Sequence, residues 1–521
     1  EAVRTGRPAT VPGQPAVVRT TLPNLAEGTY VVTWRVLSAD SHPVRGAFTF
    51  SVGRATKGGG ADRIADDFLS GRTTNASVDT AYAIVRFLVY AAMALVIGLI
   101  IGATFVWKGA FAHDRVRRLL WVAWGVLLGA TVLAFMVQGP YAGGLPLSDA
   151  FRPSVWSDIW STRLGIVLVV RAAFVLALLP VLLTARRSPR PGWTTPLALV
   201  ALVGIAATPG LGGHASVGAQ SAVAIAVDTL HVLAMGVWFG GLTLLVLLTT
   251  RDAADEALDA LPAWSRAATL AVLVVVFTGV ARGWRELGGI AHVFDSQYGR
   301  LLVIKVALVA IALLVASVAR DAVHRRWALD PDEVEAADRE RAELEAAGEP
   351  IPTRRGHSLV PDGDGVDAMR YVLPEAAARR RLVRAVVTEV VLLVAVLGVT
   401  AVLVNTAPTG AAKAGPYSAT LDAGKILADV VVTPAQVGEN EVHLTLSKRT
   451  GGPAGALQVT IQFELPSKGI EPIDVTLRKA GVDHYISSGL SLPVAGDWRM
   501  TLKVLTDPVT EEVATSTVTI R

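Results

Sequence analysis

Cysteine is absent from all 521 residues. That removes disulfides, thiolate-held metals, cysteine-ligated clusters and cysteine nucleophiles from consideration. A metal bound here must be held by histidine, aspartate, glutamate, methionine or backbone oxygen. Charge is scarce as well. Charged residues make up 18% of the chain, against about a quarter in an ordinary soluble protein. The formal net charge is only +4, too small to argue for a nucleic-acid partner, so the positions of the arginines matter more than their number. Helix-borne H-E-x-x-H, phosphate-loop and G-x-G-x-x-G patterns are missing, as is any nucleophile–base arrangement, and nothing argues for an enzyme. The chain begins at Glu1 with neither Met nor a signal peptide. An outer N-terminal domain needs an export signal, so processing or truncation is expected.

What is abundant is apolar sequence: 52% of residues are hydrophobic and the mean hydropathy is +0.48. A membrane span needs roughly 20 mainly apolar residues. Such runs occur at 81–107, 116–138, 161–183, 195–209, 220–249, 264–284, 300–319 and 384–405. Basic residues orient the set, because they stay on the inner side. Lys108, Arg115, Arg117 and Arg118 follow the first run, Arg186, Arg187 and Arg190 the third, and Arg320, Arg325 and Arg326 the seventh. The inner loop 250–262 is mostly acidic, but acidic residues weigh little in this rule. Both termini are therefore expected outside.

The flanks alternate with period two, as half-buried strands do. Tyr30–Val36 and Ala47–Val52 suggest about three strands before the membrane, too few for a sandwich of their own. Residues 54–80 look like a polar linker. The inner segment 321–383 is charged, with a solvated helix expected over Val334–Ala347. Residues 415–521 alternate again and predict a small β-sandwich of roughly seven strands. The expected fold is an α-helical polytopic membrane bundle of about eight helices, with extracytoplasmic β domains at both ends.

Histidine placement is the most informative pattern. On this topology six of the nine histidines lie outside or in the outer half of the membrane: His42, His214, His231, His292, His443 and His484. His113, His324 and His357 lie inside. Imidazole is a common metal ligand. The fifth run carries Asp228, His231, Met235 and Trp238 at steps of three, four and three, which places them on one helix face. His214 precedes that helix in a flexible outer loop. A carboxylate, two imidazoles and a thioether suit copper as Cu(I) or Cu(II); the bland reading is a polar helix–helix contact. Arg171, near mid-membrane, needs a carboxylate or carbonyl partner, with Glu389 one candidate. Lys305 is expected to snorkel outward, and Arg282 and Arg285 to be interfacial. Asp40 and His42, two residues apart on a turn between strands, can converge on one cation.

At these residues the chain resembles a known family. Leu25–Phe50, with Asp40-Ser41-His42-Pro43 in its middle, resembles the C-terminal half of CopC, a periplasmic copper-binding β-sandwich. The resemblance implies Cu(II) ligation by Asp40 and His42, with no counterpart here of that family's amino-terminal histidine. Residues 200–320 resemble CopD, through Gly213-His214-Ala215, Asp228-x-x-His231 leading to Trp238-Phe239-Gly240-Gly241-Leu242, Thr278-Gly279 and Tyr298-Gly299-Arg300. Residues Ala495–Arg499 are similar to YtkA-like sandwiches, without the Met-rich copper motif of some relatives; Met500 is the only Met there.

The resemblance divides the chain into a partial CopC-like domain (1–53), a linker (54–80), a CopD-like domain of seven helices (81–320), a cytoplasmic loop (321–383), an eighth helix (384–407) and a YtkA-like sandwich (415–521). It implies copper homeostasis in a bacterial plasma (inner) membrane, with copper captured outside and moved inward. Two rivals remain open: a membrane chaperone that donates copper to an extracytoplasmic cuproenzyme, or takes it from an outer donor, without transport; and a haem- or quinone-binding protein with His231 as axial ligand.

Overall fold

A computed structural model describes residues 2–6, 8–11, 14–37, 43–52, 64, 76–187, 190–216, 220–249, 258, 260–287, 293–294, 296–327, 329, 331–348, 372–406, 417–433, 435–450 and 452–520. Asp40, His42, His292 and His357 lie outside the described residues, so the expectations placed on them go untested. The chain divides into two compact units: residues 1–36, 44–74 and 410–521 form one, and residues 37–43 with 75–409 the other.

In the second unit eight helices are long and apolar enough to cross a membrane: Ala76–Val106, Asp114–Gly143, Arg163–Thr184, Thr194–Gly212, Ser221–Thr249, Leu261–Arg285, Gln297–His324 and Glu375–Leu403. They correspond one to one with the eight runs expected from hydropathy. Most extend a few residues further, because hydropathy windows stop at the first polar turn whereas backbone hydrogen bonding continues through it.

The first and fifth spans meet backbone to backbone. A Cβ added at Gly98 would strike the carbonyl of Gly236 and the backbone of Gly240, and one added at Gly240 would lie 2.7 Å from the Ala94 oxygen and the Gly98 Cα. Ala94-x-x-x-Gly98 thus faces Gly236-x-x-x-Gly240, the small-residue pattern that lets membrane helices approach closely enough to pack. Gly241, next along, leaves room for the Trp264 ring of the sixth span. The Trp238–Leu242 motif is therefore in large part a packing motif. Around this crossing, Met93, Ile97, Leu99, Leu127, Leu244 and Leu245 are fully buried.

The charged segment after the seventh span contains the helix Pro331–Ala347. It is less solvated than its composition suggests. Arg341 is buried and donates to the Val372 carbonyl at 2.8 Å, while Arg326 pairs with Asp338 at 2.6 Å.

The N-terminal segment has four strands in two two-stranded sheets: β1 (Ala9–Val11) with β2 (Gln14–Arg19), and β3 (Gly28–Leu37) with β4 (Pro43–Val52). Tyr30 stacks on Phe50 across the second pair, with ring centroids 5.6 Å apart.

The C-terminal segment is a sandwich of nine strands rather than seven: β5 (Tyr417–Ala423), β6 (Ile426–Thr433), β7 (Gly438–Lys448), β8 (Gln458–Leu465), β9 (Ile470–Val475), β10 (Arg478–Gly481), β11 (His484–Leu492), β12 (Gly496–Asp507) and β13 (Thr510–Ile520). One sheet runs β10-β11-β7-β6-β5 and the other β13-β12-β8-β9. The excess arises because β10 is only four residues long and exposed throughout, too short to show an alternation. Trp498 fills the centre, fully buried, with its indole donating to the Val494 carbonyl at 2.9 Å. The flanking motif residues have structural work too: Asp497 accepts from Thr519 and Arg499 pairs with Glu464.

Replacing Gly240 by Leu is expected to block the helix crossing and lower the thermal midpoint of the detergent-solubilised protein by many degrees. Gly125→Leu, at a position with open space around it, should leave the midpoint nearly unchanged.

The sandwich core consists only of residues from this segment, so residues 415–521 expressed alone should unfold cooperatively in urea. Trp498→Ala should remove roughly 3–5 kcal/mol of that stability. His484 titrates below the usual histidine value, first because it is partly buried and second because His443 stacks beside it with centroids 6.0 Å apart. The folded domain then binds fewer protons than the unfolded chain. Its stability should be complete above about pH 6.5 and fall as pH drops through that value. Urea midpoints at pH 7.5 and pH 5 would measure the loss, which His484→Asn should reduce.

Candidate functional site

All eight spans line one cavity of about 140 Å³. The odd-numbered spans contribute residues near their N-terminal ends, such as Arg86, Arg171, His231 and Lys305, and the even-numbered spans residues near their C-terminal ends, such as Thr208, Arg282 and Thr400. In an up-and-down bundle that pattern places the cavity at one end. Below it the interior is filled by the side chains around the glycine crossing.

His231 and Asp228 sit one turn apart on the fifth span and both line the cavity. His231 Nδ1 lies 2.8 Å from Thr278 Oγ1, and the Thr278 hydroxyl donates its single proton to the Val274 carbonyl at 2.5 Å. With the Thr278 proton directed to Val274, the hydroxyl accepts from the imidazole, and it is the tautomer protonated at Nδ1 that would leave the Nε2 lone pair to a ligand. Gly279 lies beside the ring, where an added Cβ would make ordinary van der Waals contact with His231 Cε1 at 3.7 Å. Thr278 thus anchors one imidazole at the cavity.

Asp228 is buried and pairs with Arg282 Nε at 2.9 Å. Gly210 on the fourth span makes that placement possible, because a Cβ there would crowd the Asp228 Cβ at 3.1 Å. Arg282, expected near the interface, has its side chain 30% exposed and turned to a carboxylate. A guanidinium this near a buried carboxylate gains more by pairing than by hydration. Lys305, expected to snorkel, is half-buried on the cavity wall.

The other candidates separate. Met235, one turn beyond His231, packs against the main apolar core and does not line the cavity. Trp238 is buried and hydrogen-bonds to Glu389 of the eighth span. The suggested Arg171–Glu389 pair does not form. Glu389 lies 11 residues before Thr400, about 16 Å along its helix from the cavity end, and Arg171 bonds instead to Thr208 Oγ1 at 2.7 Å. His214 lies in a short 3-10 turn, His214–Ser216, beside the cavity residues Gly213 and Ala215. Among the described residues, no group of three or more His, Asp or Glu side chains could hold a metal ion by itself.

Arg86 and Tyr82 went unrecognised in the sequence, because both fall in the first turns of the first span, where an interfacial anchor looks the same. Arg86 donates to the Val404 carbonyl at 3.0 Å and to the Tyr82 hydroxyl at 3.3 Å, and lies over the Tyr82 ring. Tyr82 in turn donates to Gln138 and stacks on Tyr141. The only available signal was the spacing of four between Tyr82 and Arg86, which puts both on one helix face.

Comparison with known proteins agrees with this architecture. Residues 1–53 match the CopC domain, residues 77–222 the copper resistance protein D-like N-terminal domain, and residues 258–347 copper resistance protein D. The chain is 29% identical to the copper transport protein CutJ of Bacillus subtilis over 306 residues, 57% of this chain and 54% of that protein. It therefore spans about half the length of that relative. It is also 26% identical to the inner membrane protein YebZ of Escherichia coli over 265 residues, 47% of this chain and 86% of that protein. No solved structure matches significantly. With a segment that matches the CopC domain, two that match copper resistance protein D, and eight apolar spans among the described residues, the chain has the segment order of a multi-pass CopC–CopD fusion.

Proposed function

We propose that this protein handles copper at the outer face of a bacterial plasma membrane, taking the ion into the cavity and passing it inward. The observation that carries the reading is His231: an imidazole held by Thr278 with its Nε2 lone pair left over, on a cavity reached by all eight spans. A neutral imidazole nitrogen suits Cu(I) and Cu(II) alike. The family matches and the name of the CutJ relative supply the metal. The clusters of Lys and Arg between alternate spans support an orientation with the cavity end and both termini outside. In this reading His214 delivers copper from the adjoining turn. Asp228 becomes a ligand when it exchanges its Arg282 contact for the ion. Asp40 and His42 of the CopC segment, and the C-terminal sandwich through its YtkA-like stretch, act as extracytoplasmic partners of the same traffic.

A second reading has support of its own. Beneath the cavity the bundle is closed by Met93, Ile97 and Leu244, all fully buried, and by the Gly98–Gly240 contact. A closed floor suits a membrane chaperone that receives copper outside and returns it to an outer cuproenzyme. Copper flux into proteoliposomes separates the two, because the chaperone binds copper without flux.

His231→Ala should lower the copper content of the purified protein and cellular copper accumulation several-fold; unchanged values for both would sink the cavity as the copper route. Thr278→Val removes the acceptor that holds Nδ1–H. It should weaken copper binding by roughly 10-fold, the usual effect of losing a partner that orients a ligand.

A further inference from the structure

The cavity wall carries more positive charge than a cation site would need. Among the described residues that line it are Arg86, Arg171, Arg282 and Lys305, and one carboxylate, Asp228, which Arg282 engages. Arg171 is the sharpest case. It is 6% exposed, and its Nε donates to the Thr208 hydroxyl, which itself donates to the Ile205 carbonyl at 2.6 Å. Among the described residues no carboxylate pairs with Arg171 or with Arg86; Arg86 meets a carbonyl, a hydroxyl and an aromatic face. A guanidinium buried in the membrane interior is costly unless a countercharge or dense hydrogen bonding meets it. Here one neutral hydroxyl meets Arg171.

The space matches a ligand larger than a bare ion. A volume of about 140 Å³ corresponds to roughly ten water-sized positions. The Arg86–Arg171 side is flanked by Tyr82 and Tyr90 of the first span. Planar guanidinium forks beside phenol rings favour planar or tetrahedral oxyanions, which accept paired N–H bonds.

We infer that the Arg86–Arg171 side of the cavity is a binding site for an oxyanion, a carboxylate or phosphate group. The group belongs either to a small soluble anion or to the headgroup of an anionic lipid. The bound anion balances the wall charge. Its consequence for copper rests on the function proposed above: the anion neutralises the wall that would otherwise repel the metal, so copper enters next to an anion or as its complex. The site itself stands without copper.

The test uses the full-length, copper-free protein in nanodiscs of phosphatidylcholine, titrated calorimetrically with phosphate and with citrate at constant ionic strength. Saturable binding of one anion per chain is expected. Arg171→Gln should weaken it at least 10-fold and Arg171→Lys by less, since the charge remains while the fork is lost. Asp228→Asn, which removes the carboxylate described on the wall, should tighten it several-fold, an effect a purely structural role for Arg171 does not produce. Native mass spectrometry of protein purified from membranes containing phosphatidylglycerol is the second arm. If a lipid is the source, one phosphatidylglycerol stays bound, and Arg171→Gln or Arg171→Lys loses it. The inference is overturned if neither anion saturates and no anionic lipid is retained. It is equally overturned if Arg171→Lys and Asp228→Asn, folded by their helical circular dichroism, bind as the wild type does. Loss of copper accumulation in His231→Ala with anion binding intact leaves this site standing. Anion binding with no copper bound at all would instead sink the copper reading alone.

Discussion

The contact between the first and fifth spans at Gly98 and Gly240 is the constraint on which the membrane unit depends. In lipid, helices gain nothing by hiding apolar surface from one another, since the surrounding chains are equally apolar. They associate through close packing, and glycine at both sides of the crossing allows it. Once the two backbones touch, the helices are fixed in depth and rotation. Arg86 and Tyr82 of the first span and Asp228 and His231 of the fifth are then presented at the same level. Gly210, on the fourth span, relieves the crowding around Asp228. The glycines determine where the polar groups can be.

Above that crossing the bundle opens and its walls become polar; below it the interior is filled. This division explains why the polar residues of the spans have such different lives. Asp228, Arg282, His231 and Lys305 share a cavity, whereas Glu389, deeper along the eighth span, is paired with Trp238 in packed surroundings. Thr278 connects the two regimes. Its hydroxyl is bound to its own helix, and it orients an imidazole at the cavity edge. The proposed copper ligand and a structural hydrogen bond would then be parts of one arrangement.

The electrostatics of the cavity bear on any cargo. A site built for a naked cation would be expected to collect carboxylates, yet arginine and lysine dominate the wall. On the proposed reading, an imidazole and a carboxylate that must leave an arginine are modest ligands on their own, and the proposed companion anion would make the site neutral enough to hold a metal. The C-terminal sandwich, by contrast, keeps its chemistry on the surface: His443 and His484 stack on an outer face, while Trp498 secures a core drawn from that segment alone.

Much of this was legible without coordinates. The eight spans follow from hydropathy because each must be apolar over the thickness of a bilayer, a local property of the chain. The sandwich follows from period-two alternation, and the Asp228–His231 step from helix geometry, again local. The partners of those residues were not legible. Arg282 as the mate of Asp228, Thr278 as the holder of His231, the separation of Arg171 from Glu389 and the exclusion of Met235 from the cavity all depend on which helix lies beside which, and at what depth. Arg86 carried no signal that set it apart from an interfacial anchor; its place on the cavity follows from the packing of the helices around it. A sequence specifies the face a residue occupies on its own helix; the charge environment that face meets is set by its neighbours, and only their packing decides it.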